Sequence, residues 1–189
     1  MIPDFNHNNV IPPFVSNPTN RNDLSPYLCN ILEFCTKFAT SKERIEILEG
    51  YIAFREKMNN FGIIDGFQWL DGSFTENIES SESRPPKDLD LITFYKMFIP
   101  IDERNRIFNN ILTNFNEFLD PKISKTVYKL DHYGIDYGYS PDATIEQARY
   151  WIQLFSHNRL NIWKGMLRIE LNTPDIDQQA KEYLESLKK

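Results

Sequence analysis

The sequence is poor in several things that common functions need. It has two cysteines, Cys29 and Cys35, in 189 residues. They fall within one predicted helix with side chains pointing in different directions, which argues against a disulfide between them and offers no metal-type spacing. Two buried thiols in a reduced setting are expected. The three histidines, His7, His132 and His157, share no spacing. His132 stands beside Asp131 and can act as a base, but a surface position is the expectation. No apolar run approaches the roughly 18 residues of a membrane span. The opening MIPDFNHNNVIPPF lacks the basic start and apolar core of a signal peptide, so a cytoplasmic location without membrane contact is expected. Positive charge is also short, with 21 Lys and Arg against 27 Asp and Glu and a net charge of -6. That argues against broad binding to duplex nucleic acid, which relies on a basic footprint. It leaves room for a small nucleotide carried in with its own metal.

What is present suits a folded domain. Apolar residues make up 41% and aromatics 14%, enough for a core. Residues 1–26, with Pro3, Pro12, Pro13, Pro18 and Pro26, leave no room for a helix. Yet Ile2, Phe5, Val10, Ile11, Phe14 and Val15 are too apolar for a free tail. An extended arm packed on its own chain is expected, with residues 27–189 forming a single domain. Apolar spacing predicts helices over Pro26–Phe38, Thr40–Asn60, Asp102–Leu119, Ala143–Phe155 and Thr173–Leu187. Thr40 with Glu43 suggests a capping box, Asp120-Pro121 a helix stop, and Thr173-Pro174 a helix start. Strands are predicted over Ile63–Leu70, Asp88–Tyr95, Tyr133–Tyr139 and Lys164–Leu171. The alternation implies an α/β or α+β fold, a sheet with helices packed on it.

Chemistry concentrates in Trp69–Tyr95, WLDGSFTENIESSESRPPKDLDLITFY. Asp88 and Asp90 lie two apart in a strand, so both point to one face while Leu89 and Leu91 point to the other. Two like charges on one face are stabilised by a hard divalent cation such as Mg²⁺, which also takes phosphate oxygens. A third carboxylate from a neighbouring strand would complete a metal site. Asp136 in YGIDYGY is the first candidate and Asp131 the reserve. Gly72-Ser73 has a separate role. Glycine lets the backbone approach a phosphate, the serine hydroxyl adds a donor, and a short helix over Ser73–Ser80 would present free N–H groups. Asp71 is awkward beside a phosphate and is expected to turn outward or bond the backbone. Arg84, Lys87 and Lys164 are the cations placed to reach a triphosphate. Tyr128, Tyr133, Tyr137 and Tyr139 can stack a base, although sheet packing is the plainer role.

WLDGSF followed by PKDLDLITF resembles the signature of the DNA polymerase β-like nucleotidyltransferases: Gly-Ser, Asp-x-Asp, then a distant third Asp. With MIPDFNHNNVIPPF, YGIDYGY and YWIQLFSHNRLNIWKGMLRIEL, the chain resembles more narrowly a family of small prokaryotic nucleotidyltransferase-like proteins known as a domain of unknown function. The resemblance reaches from near residue 1 to about residue 171. It implies a mixed sheet flanked by helices, with Mg²⁺ or Mn²⁺ held by Asp88, Asp90 and Asp136. It also implies Gly72 and Ser73 at the phosphates, and transfer of a nucleoside monophosphate from an NTP to an acceptor. The acceptor would be an RNA end, a nucleotide, a protein or a small molecule. Small stand-alone members of the superfamily often serve as toxins of toxin–antitoxin modules or in antiphage defence. The alternative is the same fold binding a nucleotide or a partner protein without catalysis.

Overall fold

The computed structural model describes residues 1–97 and 101–188. Among the described residues five strands form one mixed sheet beside seven α-helices, an α+β arrangement. The strands are β1 (Tyr27–Leu28), β2 (Gly66–Asp71), β3 (Leu89–Tyr95), β4 (Leu130–Asp136) and β5 (Leu167–Glu170). The helices are α1 (Ile31–Phe38), α2 (Lys42–Asn60), α3 (Ile78–Glu82), α4 (Ile101–Asn114), α5 (Pro121–Tyr128), α6 (Pro141–Phe155) and α7 (Pro174–Ser186). The spatial order is β1-β5-β2-β3-β4. β2 is antiparallel to both β3 and β5, while β3 and β4 run parallel. A parallel neighbour needs a long crossover, and α4 and α5 supply it between β3 and β4.

Several local choices differ from the sequence expectation for identifiable reasons. The helix expected from Pro26 yields its start to β1, whose flanking N–H groups of Tyr27 and Cys29 bond the Met166 and Arg168 carbonyls at 3.0 Å each. α1 then begins after Asn30, which forms a reciprocal capping box with Glu33. α2 is capped by Ser41 and not by Thr40. Asp120-Pro121 does more than stop a helix. Asp120 accepts from the Lys122 N–H and Pro121 occupies the first turn of α5. The strand expected over Tyr133–Tyr139 lies earlier, at Leu130–Asp136. Its end is set by a turn in which Asp136 Oδ1 accepts from the Gly138 N–H at 2.9 Å.

The two faces of the sheet carry different cores. The larger core joins Leu70, Leu89, Leu91, Leu130 and Ile169 to helix residues such as Phe34, Leu48, Phe54 and Leu184. The smaller core sets Trp69, Ile92, Phe94 and Met166 under Trp151 and Phe155 of α6. The N-terminal arm packs on its own chain: Ile2, Val10 and Ile11 are buried. Val10 bridges to Glu76, and the Gly165 N–H donates to the Ile11 carbonyl at 2.8 Å.

Candidate functional site

Register puts the acids side by side. Asp71 pairs with Asp90 across β2 and β3, and Asp90 pairs with Asp131 across β3 and β4. Directly paired residues share a sheet face, so the three carboxylates form a row across adjacent strands. Asp88, two residues before Asp90, belongs to the same face. The next row on that face is Trp69, Ile92 and Tyr133, beneath α6. The acids therefore lie where the apolar floor of this face ends.

Asp136 is not part of this row. It pairs with Tyr95 at the far end of β3. Its odd offset of five from Asp131 puts it on the opposite face. There it accepts from Gly138 and stands 4.0 Å from Arg104. The first-choice third acid is corrected on this geometry to Asp131, the reserve candidate. His132, expected at the surface, is 1% exposed and points into the larger core. Burial pushes its pKa down to about 3 against an opposing pull from the Phe118 backbone, so it stays neutral. Its Nε2 lies 2.9 Å from Thr93 Oγ1.

Gly72 closes β2 with φ +80°, a left-handed conformation that favours glycine. The Asp90 carboxylate lies against its Cα, and a Cβ there would overlap that carboxylate. Ser73, half-buried, opens a single 3-10 turn over Ser73–Thr75. The helix expected to reach Ser80 does not form as one piece. Glu76 is extended because it bridges to the arm at Val10, and α3 starts only at Ile78. A phosphate at this turn would meet the glycine backbone and the Ser73 hydroxyl, not the end of a long helix.

Behind the turn sits Lys164, 3% exposed. Its Nζ lies 3.0 Å from the Gly72 carbonyl, 2.7 Å from Glu76 Oε1 and 3.1 Å from Asp71 Oδ1. An ammonium has three N–H donors, and all three are engaged. Lys164 thus shapes the turn and has no donor left for a ligand, which corrects its expected place among the phosphate contacts. Burial opposes its charge, but Asp71 and Glu76 outweigh that and raise its pKa. Of the two arrangements expected for Asp71, the outward one is not found: it turns inward to this ammonium and accepts from the Gly72 backbone. Burial pushes its pKa up to about 7 despite Lys164 and the Gly72 backbone. Arg44 of α2 holds the next stretch through Phe74 O and Glu76 O at 2.7 Å each and through Glu79.

The open side of the acid row has its own cation. Lys125 of α5 places Nζ 2.5 Å from Asp88 Oδ2 and 3.3 Å from Asp131 Oδ2. Its side chain is 50% exposed, and hydrogen bonding to Asp88 raises its pKa. Asp90 makes no hydrogen bond or ion pair through its carboxylate among the described residues. Burial first, then the charges of Asp88 and Asp131, push its pKa up to about 6. Lys87 is exposed on the loop ahead of Asp88, and Arg84 pairs with Glu82 at 2.7 Å.

The row offers the oxygen donors that a hard divalent cation takes. Asp88, Asp90 and Asp131 are oxygen donors on one face, and a cationic group already stands between two of them. Among the described residues no group of three or more His, Cys, Asp or Glu side chains stands close enough to hold a metal ion as placed. Lys125 was not found from sequence, because its sole signal is a lysine two turns ahead of Asp131 on a helix that was not expected.

The chain belongs to a family of unknown function (DUF6932), whose model matches residues 3–170. That span contains the acid row, the glycine turn, Lys125 and Lys164. No curated protein and no solved structure matches the chain. Among the described residues no helix is long and apolar enough to cross a membrane.

Proposed function

We propose that the protein is a Mg²⁺-dependent nucleotidyltransferase that transfers a nucleoside monophosphate from an NTP to an acceptor hydroxyl. The observation that carries this reading is the register: Asp90 and Asp131 lie side by side, with Asp88 on the same face and the Gly72-Ser73 turn against Asp90. Asp88, Asp90 and Asp131 would hold the cation. Bound there, it would supply charge stabilisation on the transferring phosphoryl group and a lower pKa for the attacking hydroxyl. The chain's own groups do the rest. The missing Cβ of Gly72 leaves room for the Asp90 carboxylate beside the turn, and the Ser73 hydroxyl would donate to a phosphate there. Lys164 holds the Gly72 carbonyl, and the Ser73 N–H on the same peptide plane points the opposite way. Asp90, with a carboxyl titrating near 6, becomes a full anion only at neutral pH or once a cation arrives.

The test is incubation of the purified chain with each labelled NTP, Mg²⁺ and mixed RNA, nucleotide and protein acceptors. Pyrophosphate release with label on an acceptor, lost in Asp88→Ala/Asp90→Ala and in Asp131→Asn but kept in Asp136→Asn, is the expected result. Nucleotide binding without turnover would instead assign a binding module, and phosphate release without adduct a hydrolase.

A further inference from the structure

The cation between Asp88 and Asp131 has a consequence for what the site accepts. Among the described residues Lys125 and Lys164 are the two ammonium groups ion-paired to the acid row, and they are built differently. Lys164 is buried with three acceptors at fixed places. Lys125 rides on a flexible stem, half-exposed, with its two partners both in the carboxylate set that would hold a metal. A divalent cation entering alone must displace this ammonium and leave it without a counter-ion beside a new positive charge. A divalent cation entering with a polyphosphate brings the replacement anion with it.

We infer that Lys125 is a resident counter-ion that makes the site select a metal–triphosphate complex over the free metal, yielding Asp88 and Asp131 and passing to the incoming phosphates. This deepens the nucleotidyltransferase reading and rests on it. Lys125 acts as a gate on the ligand set and then as a phosphate contact, the role that Lys164 is too enclosed to fill. Exchange of this kind needs no movement of the backbone. A lysine stem has four rotatable carbons, and the ion pair it leaves is partly solvated and therefore weak enough to be replaced.

The experiment uses the full chain as wild type, Lys125→Met, Lys125→Arg and Lys122→Met. Lys122 is an exposed lysine on the same helix and controls for loss of one general positive charge. Binding of Mn²⁺ alone is followed by loss of its free-ion paramagnetic resonance signal. Binding of a preformed complex of Mn²⁺ with inorganic tripolyphosphate is followed by calorimetry. In Lys125→Met, Mn²⁺ alone should bind roughly five- to tenfold tighter and the complex weaker by a similar factor. Lys125→Arg should keep the wild-type preference in direction, and Lys122→Met should change neither affinity beyond about twofold. Opposite movement of the two affinities is the signature. Two unchanged affinities, or two that move together, would overturn the inference while leaving the metal site in place. Failure of every variant and the wild type to bind Mn²⁺ in either form would overturn the nucleotidyltransferase reading, and the inference with it.

Discussion

β2 and β3 each contribute to two polar rows, three residues apart and on opposite faces of the sheet. Gln68 pairs with Thr93 on the face of the larger core, and Asp71 pairs with Asp90 on the other. The first row is settled. Gln68 Oε1 accepts from Tyr51 at 2.7 Å and from Arg55 at 2.8 Å, and its Nε2 donates to Thr93 at 3.0 Å. Arg55 is held further by Asp177, Thr173 and the Glu170 carbonyl. Charge and donors balance, and Gln68, Tyr51, Thr93 and Arg55 are buried. The second row does not balance. Among the described residues, Asp71, Glu76, Asp88, Asp90 and Asp131 face only Lys164 and Lys125 as ion-pair partners. Burial of polar groups is tolerated where partners complete it. The first row is therefore a structural brace, and the second has a surplus of anion that a ligand would complete.

The sharpest way to break this contrast is to unbalance the brace. Arg55→Met strands Gln68 in the interior and leaves the partly buried Asp177 without its partner, and should cost about 3 kcal/mol in denaturant unfolding. A loss below about 1 kcal/mol would mean that the network does not brace the sheet. The opposite sign is expected in the acid row. Asp90 titrates near 6 in the folded chain and near 4 when unfolded, so the folded chain binds the proton more tightly. Its contribution to stability falls as pH rises across that window. Asp90→Asn should therefore raise stability at pH 8 without divalent cation by about 1–2 kcal/mol and flatten the dependence between pH 4 and 7. A destabilised Asp90→Asn would show that the carboxylate is already satisfied. The smallest effect belongs to Asp136→Asn, whose amide oxygen can still accept from Gly138. A change within about 0.5 kcal/mol and unaltered Mn²⁺ binding are expected. Equal loss of Mn²⁺ binding in Asp136→Asn and Asp131→Asn would undo the assignment of the row.

The turn and the acid pair were legible because both lie in local patterns. Gly72-Ser73 ends an apolar run, and Asp88 and Asp90 alternate with Leu89 and Leu91. The third acid was not, because it depends on register between strands that a crossover separates. The aromatic residues of YGIDYGY drew the strand three residues too far along. Parity was the unused signal: Asp131 and Asp136, five apart in one strand, face opposite ways. The buried cations were hidden for a different reason. Arg44 and Arg55 recur with Leu48, Tyr51 and Met58 on one face of α2, a spacing that marks them as buried, but charged residues read as solvated unless their partners are known. Those partners, Glu79 and Asp177, are 35 and 122 residues away. Lys164 sits in an apolar block for the same reason, and its acceptors come from the turn 92 residues earlier.

The arm gives the site a timetable. Asn9, Val10 and Ile11 touch the chain at two places, Glu76-Asn77 after the turn and Gly165 beside Lys164. Contacts between residues this distant in sequence form late, because a long loop must first close. During synthesis the first of these segments leaves the ribosome well before residues 164 and 165 exist. Until they do, the Gly72 carbonyl has no ammonium to hold it and the Ile11 carbonyl has no N–H of Gly165 to accept from. The acid row on β2, β3 and β4 can pair before Lys164 arrives, so a nascent or shortened chain carries the acids before the turn beside them is braced.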